Sequence, residues 1–439
     1  MKRCNISRSD NVVLSTVRDR FIARSRVRDY RGEMSNDAVP GVGGYAAAEF
    51  APLVRAFARA FGHRRGAGGA LAVHRHGVPL VHIWTGSAGA GPWTADTGAI
   101  IFSATKGVTA TVIHRLADRG LLDYAAPVAE YWPEFAANGK ARITVRQIMT
   151  HSAGLGSVGA LATSAAEVLD HRLMEERLAA AKPDRLLGTP SYHALTYGWL
   201  LAGLARAITG RGMAELFRTE IAEPLGTDGI HLGRPPAASA TTYAPLAGTQ
   251  LSSIRNPLVA QVLGRTHLVP GAAGAATRAL FLPGLEAILE SAEPAILDTE
   301  LGAGNGVCTA DGLATMYGAV ATGMYEGRQY LSPATLRAIG KVETYRLDRA
   351  LFYTPMMWRL GYHSLPIPGA RTGFGHVGLG GSFGWADPRL GLSVGFVHNR
   401  LSVGLLPLDM SAAAWILPLA VRGLRSARRA EATEARRAA

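Results

Sequence analysis

The 439-residue sequence predicts an α+β fold: an antiparallel sheet flanked by N- and C-terminal helices, with a large helical domain inserted between the two halves of the sheet. Three observations predict it. β-prone runs on either side of His76-Gly77 read as a hairpin early in the chain. Short strand-like segments joined by turns recur only beyond residue 373. Between them, residues 121 to about 340 follow a mainly helical period, broken by loops rich in Gly, Pro and Ala. The expected division is therefore a discontinuous sheet domain, 34–120 and 341–424, around an inserted helical domain, 121–340.

The elements follow in order. Phe50, Leu53, Val54, Phe57 and Phe61 recur at helical spacing, and glycines at 66, 68 and 69 end that helix. The hairpin spans Ala70 to Trp84. After a loop, Ile100-Ile-Phe-Ser103 leads into a second helix that carries Val108, Val112, Ile113 and Leu116 and stops at Gly120. Within the insertion, Leu200, Leu204 and Ile208 mark a helix after Tyr192, whereas 234–290 is poorly periodic and is expected to roof a site. Gly373–Gly381, Ser382–Ala386 and Leu392–His398 are the late strands, and Met410–Leu424 is a closing helix. No repeat of fixed period occurs, and the low-complexity Ala/Arg/Glu tail, 425–439, is expected to be disordered.

Composition removes several classes of function. The chain is 48% hydrophobic and 18% charged, enough apolar material for sizeable cores. Its net charge of +13 suggests nucleic acid until it is divided: residues 1–33 carry +5 and residues 422–439 carry +4, so the body is nearly neutral. Nucleic-acid binding needs a basic globular face, so no nucleic-acid partner is expected. No run reaches the roughly 18 apolar residues of a spanning helix, and the first 33 residues lack the apolar core of a secretory signal. A cytoplasmic protein without stable membrane insertion is expected. Two readings stand for 1–33: a disordered basic arm, or sequence upstream of a start at Met34. The two cysteines, Cys4 and Cys308, offer neither a disulfide framework nor a zinc cluster. His74 and His76 flank the hairpin turn and read as surface residues, and no metal-ligand spacing, phosphate loop or dinucleotide fingerprint is present. No cofactor is expected.

The chemistry concentrates in three places. Ser103-Ala-Thr-Lys106 puts a hydroxyl and an amine three residues apart at a helix start, where they share a face. A serine needs a neighbouring base to become a nucleophile, and a lysine serves as one when burial lowers its pKa. In Pro190-Ser-Tyr-His-Ala-Leu-Thr-Tyr-Gly-Trp199, Tyr192 precedes a helix and can shuttle a proton beside a lysine. In Phe374-Gly-His-Val-Gly-Leu-Gly-Gly-Ser382, glycines at 378, 380 and 381 permit close approach of backbone to a ligand. Gly380-Gly-Ser-Phe-Gly384 also spells the G-x-S-x-G of another hydrolase class, but strand-like sequence follows the serine where a helix is required, so Ser382 reads as structural or substrate-lining.

In this order and spacing the three segments resemble the serine β-lactamase and penicillin-binding-protein superfamily, in particular its class C β-lactamase-like branch with the family VIII carboxylesterases and related lipases. Ile143–Leu155, Pro224–Asp228 and Asn305–Ala310 add to the resemblance, which covers roughly residues 45–400. It implies a β-lactamase/transpeptidase-like fold, with Ser103 as the acylated nucleophile, Lys106 as its base and Tyr192 as the proton shuttle. It further implies an oxyanion hole from the backbone N–H groups of Ser103 and Leu379, with His376, Gly378 and Gly380 binding substrate. Ala194 stands where lactamase relatives carry the Asn of Tyr-x-Asn, and His376 where they carry the Lys of Lys-Thr-Gly. The expected activity is therefore hydrolysis of a small carboxylic ester. β-Lactamase or D-amino-acid peptidase, acyltransferase, and a silent binder of cell-wall peptide are the alternatives, and the oligomeric state is left open.

Overall fold

The computed structural model describes residues 39–61, 66–248, 271–280, 284–289, 293–401 and 406–438. The basic arm, the start at Met34, Cys4 and much of the 234–290 stretch lie outside the described residues.

The chain opens with β1 (Val42–Ala46), α1 (Ala51–Phe61), β2 (Gly68–Arg75) and β3 (Val78–Gly86). Leu53, Val54, Phe57 and Phe61 form the buried stripe of α1, with Arg55 and Arg59 facing outward. β2 and β3 are joined by His76 and Gly77, with φ of +49° and +78°. Two positive φ values in a two-residue loop match the right-handed twist of the flanking strands, and glycine accepts the second without strain.

The late strands β8 (His363–Ser364), β9 (Phe374–Val377), β10 (Phe383–Asp387) and β11 (Leu392–His398) complete a seven-stranded sheet, introduced here out of chain order because they pair with the first three. Its order is β1-β3-β2-β11-β10-β9-β8, antiparallel throughout. β11 lies beside β2 in the register Ala72↔Gly395 and joins the two ends of the chain.

Alternation along β2 sends its side chains to two cores. Leu71 and Val73 join Phe50, Phe57, Phe396, Ile416 and Val421 beneath α1 and the C-terminal helix, Ala412–Ala438. Ala70 and Ala72 face the larger core instead, where the helix Ala310–Thr322 packs across β2, β10 and β11. Small residues let that helix approach closely. A Cβ at Gly395 would collide with the carbonyl of Ala310.

The middle of the chain builds the second region. β4 (Thr97–Ile100) runs into α2 (Thr105–Asp118), which packs against α4 (Thr196–Thr209), the helix that follows α3 (His171–Ala180). A four-stranded sheet, in the order β5 (Ile230–Leu232), β7 (Gly306–Cys308), β4 and β6 (Thr242–Tyr243), lies beside these helices. Cys308 is buried in β7, where burial pushes its thiol up to about 12, so it stays an unreactive core residue.

Three expectations need correction. The 121–340 stretch, expected as a mainly helical inserted domain, also contributes β5, β6 and β7, and its helix Ala310–Thr322 covers the main sheet. The tail beyond residue 424 continues the C-terminal helix to Ala438, because Ala, Arg and Glu are strong helix formers. His74 is buried, with Nε2 2.9 Å from Asp311 Oδ1, because it shares the β2 face of Ala70 and Ala72; His76 is exposed. Among the described residues, no helix is long and apolar enough to cross a membrane.

Candidate active site

β4 ends at Ile100, and Ile101 is fixed by its N–H to the Gly306 carbonyl at 2.9 Å. Phe102 then adopts φ +45°, a left-handed conformation uncommon for a large side chain. The reversal sets Ser103 in a single 3₁₀ turn, Phe102–Ala104, directly ahead of α2. Strain of this kind persists only where the surroundings over-determine it, and it clusters at functional sites.

Lys106 occupies the first turn of α2 and is fully buried. Its Nζ lies 3.1 Å from Ser103 Oγ, 2.7 Å from the Ala194 carbonyl and 2.9 Å from the Ala303 carbonyl. Burial holds this amine well below the usual lysine range. A neutral amine has two N–H donors and one lone pair. The two carbonyls can only accept, so they take the two N–H groups and the lone pair is left facing the Ser103 hydroxyl. The arrangement thus aims an amine lone pair at a hydroxyl.

Tyr192 lies against this pair. Its hydroxyl hydrogen-bonds Ser103, and Lys106 Nζ sits 4.8 Å from its ring centre. Burial raises the Tyr192 phenol above its ordinary range, with the bond to Ser103 acting in the opposite direction, so the phenol keeps its proton at neutral pH. The ring stacks on Trp358 at 5.8 Å with an interplanar angle of 4°. Asp348, fully buried, accepts the Tyr192 backbone N–H and the Trp358 indole N–H, each at 3.0 Å.

Four buried histidines surround the aromatic pair. His151, with φ +57°, lies 4.8 Å from the Tyr192 ring, 4.3 Å from Trp358 and 5.7 Å from His193. His363 lies 5.0 Å from His376. Burial lowers all four, His193 and His363 to about 4, and mutual repulsion acts on His151 and His376 in the same direction. All are neutral near pH 7. His376 Nδ1 is 3.1 Å from the Val377 carbonyl, which can only accept, so the proton sits on Nδ1 and Nε2 presents a lone pair. Among the described residues, no group of histidine, cysteine or acidic side chains is placed to hold a metal ion.

β9 brings His376 and Gly378 alongside the Ser103 turn. A Cβ at Gly378 would collide with the Ile101 carbonyl, so only glycine lets these two backbone segments meet. The pocket at this junction has a volume of about 470 Å³ and is lined by Ser103, Tyr192, Ala194, His376, Gly378 and Leu379 together with apolar side chains. Those include Leu195, Ile296, Leu301, Phe352, Met356 and Met410. Among the described residues no acceptor takes the Leu379 N–H.

Most of the residues singled out from the sequence therefore converge, with Lys106 beneath the pocket floor. Gly380 does not. It turns away at φ +86° and its carbonyl faces His398 Nε2 at 2.9 Å, because the chain reverses between Gly378 and Gly381 and presents only one side of the loop to the pocket. Ser382 is buried behind that loop, its hydroxyl accepting the His398 N–H at 3.3 Å. Sequence reasoning missed Asp348, Trp358, His151, His193 and His363. For His151 a signal existed, since it lies in the Ile143–Leu155 segment that carried part of the resemblance.

A family model described as Beta-lactamase matches residues 53–411. The chain is 49% identical over 391 residues to the esterase/beta-lactamase LipL of Mycobacterium tuberculosis (strain ATCC 25618 / H37Rv), covering 87% of this chain and 89% of that protein. Of solved structures, a family VIII carboxylesterase superposes with a TM-score of 0.72 at 29% identity, covering 87% of this chain and 99% of that one. A penicillin-binding-protein homolog from Caulobacter crescentus superposes with a TM-score of 0.70 at 29% identity, covering 87% and 98% respectively.

Proposed function

Because the chain belongs to the beta-lactamase family, we propose that it is a serine hydrolase cleaving carboxylic esters through a covalent acyl-enzyme on Ser103. The observation that carries this reading is the buried Lys106 amine, 3.1 Å from Ser103 Oγ, with both N–H donors of its neutral form taken by two carbonyls.

In the acylation step Lys106 Nζ takes the Ser103 proton as Oγ bonds to the ester carbonyl carbon. The negative charge that gathers on the carbonyl oxygen is met by the N–H groups of Ser103 and Leu379. As the tetrahedral species collapses, the C–O bond to the alcohol breaks and the alkoxide takes a proton from Tyr192, which recovers one from Lys106. Water then attacks the acyl carbon, passing its proton to the same pair. The acid departs and Ser103 regains its hydrogen.

An ester is favoured over a lactam by two features. The pocket lining is predominantly apolar, which suits an acyl chain, and Ala194 offers only a methyl where an amide would need a partner. The similarity to a family VIII carboxylesterase is consistent with this choice, while LipL is named both an esterase and a beta-lactamase.

The test is covalent trapping. After a slow acylating inhibitor, peptide mass spectrometry should place the adduct on the peptide containing Ser103, and Ser103→Ala should abolish p-nitrophenyl ester turnover while Ser382→Ala retains most of it. An adduct on Ser382 would overturn the assignment.

A further inference from the structure

The segment Glu343–Trp358 forms a loop beside the pocket mouth, closed at its base where the Glu343 N–H bonds the Trp358 carbonyl at 2.8 Å. Higher up, Asp348 and Thr354 pair as an isolated antiparallel bridge. Asp348 Oδ1 also accepts the N–H groups of Ala350 and Leu351, each at 3.0 Å, so the tip is tightly tied. That tip holds Phe352 and Tyr353 at φ +51° and +60°. Two consecutive non-glycine residues in the left-handed region are strained, yet their side chains stay exposed, Phe352 at 68% and Tyr353 at 41%, and Tyr345 on the same loop is 73% exposed.

Large exposed apolar side chains clustered in one place mark a surface that something covers. Here they rim the pocket, since Phe352, Leu379 and Met410 are exposed and also line it. Charge on the loop narrows the occupant. Both of its acidic side chains, Glu343 and Asp348, are buried, while Arg346 and Arg349 are exposed, so the loop presents only positive charge to solvent. Arg349 lies over the Tyr353 ring at 5.1 Å. Aromatic and aliphatic side chains that sink into the acyl boundary, flanked by arginines at headgroup level, are the composition of a surface that binds anionic lipid.

We propose that the Glu343–Trp358 loop is a lipid-docking surface that seats the mouth of the pocket on an anionic lipid–water interface, so that a poorly soluble ester passes from that interface to Ser103. The second half rests on the ester hydrolase reading above; the docking half does not.

The experiment uses the full chain and two vesicle preparations, phosphatidylcholine alone and phosphatidylcholine with phosphatidylglycerol. It compares the unchanged protein with a Tyr345→Ser/Tyr353→Ser variant, two residues outside the pocket lining. Sedimentation should show binding to the anionic vesicles, at least tenfold weaker for the variant, with turnover of a dissolved short-chain p-nitrophenyl ester equal for both. Basic segments at the two chain ends are identical in both proteins, so equal vesicle binding by the variant would assign binding to them and overturn the proposal. Failure of the unchanged protein to sediment with either preparation would also overturn it. Vesicle binding without turnover of the dissolved ester would leave the docking surface standing and remove the esterase reading instead.

Discussion

Asp348 Oδ1 accepts the Tyr192 backbone N–H at 3.0 Å, so a fully buried carboxylate anchors the phenol proposed to shuttle the proton. Its other oxygen takes the indole N–H of Trp358, the ring against which Tyr192 stacks. Burial raises the Asp348 carboxyl above its ordinary range, and hydrogen bonds from Tyr192, Trp358, Leu351 and Ala350 oppose that shift. Asp348→Asn keeps the shape but turns an amide N–H toward one of those donors. The expected result is a drop in kcat of roughly tenfold to a hundredfold with KM little changed, below the full worth of a proton-transfer group. Steady-state kinetics on a p-nitrophenyl ester check it, and an unchanged kcat in a folded variant would show that Tyr192 needs no such anchor.

Lys106→Arg should inactivate nearly as fully as Lys106→Ala, because a guanidinium keeps its protons in a protein and offers no lone pair to Ser103. Tyr192→Phe should lose roughly two to four orders of magnitude. The sign of the pH dependence follows from the same amine. Burial lowers Lys106, so the base form is present above its folded pKa and is lost as the solution is acidified through that value. Activity should therefore rise with pH on the acid side of the kcat/KM profile. Retention of most activity by Lys106→Arg would refute the base role.

Ester turnover should exceed β-lactam turnover by orders of magnitude. With its proton on Nδ1, His376 presents a lone pair and no charge, and so repels a lactam carboxylate that a lysine would bind. The methyl of Ala194 leaves a lactam amide unpaired, at about 1–3 kcal/mol if that group is buried. A kcat/KM for a chromogenic cephalosporin equal to that for a short-chain ester would contradict this account.

Stability should fall steeply below pH 6.5. Burial pushes His114, His193, His363 and His398 down to about 4, against an ordinary value of 6.5. Between those values the unfolded chain binds protons that the folded chain does not, so acid favours unfolding. Each such histidine contributes roughly 1.4 kcal/mol per pH unit across that window. Melting temperatures measured from pH 7.5 to 4.5 should be level above 6.5 and drop sharply below it; a level curve throughout would mean that these side chains are not buried neutral.

What was legible in the sequence is what is local. Ser103 and Lys106 are one helical turn apart, so their meeting is a matter of spacing alone. The His76-Gly77 hairpin turn and the stripe of α1 are legible for the same reason. Asp348 reaches Tyr192 across 156 residues, and nothing in the composition around either residue encodes that approach. Glycine spacing showed that the 378–381 segment was a close-approach loop but not which side faces the pocket, hence the misplacement of Gly380. The burial of His74 and the helicity of the tail were, by contrast, readable: His74 alternates with Ala70 and Ala72, and the tail has the composition of a helix.

The position of β11 between β2 and β10 has a consequence for biosynthesis. The N-terminal strands leave the ribosome first, yet the partner that covers β2 along its length, Arg75↔Leu392 to Gly69↔His398, is made almost last. Until then β2, wholly apolar from Ala70 to Val73, is an open edge with unpaired backbone groups and buried-type side chains facing solvent. The nascent protein must cross most of its synthesis with this apolar edge exposed, so chains released before residue 392 are expected to aggregate instead of folding in part.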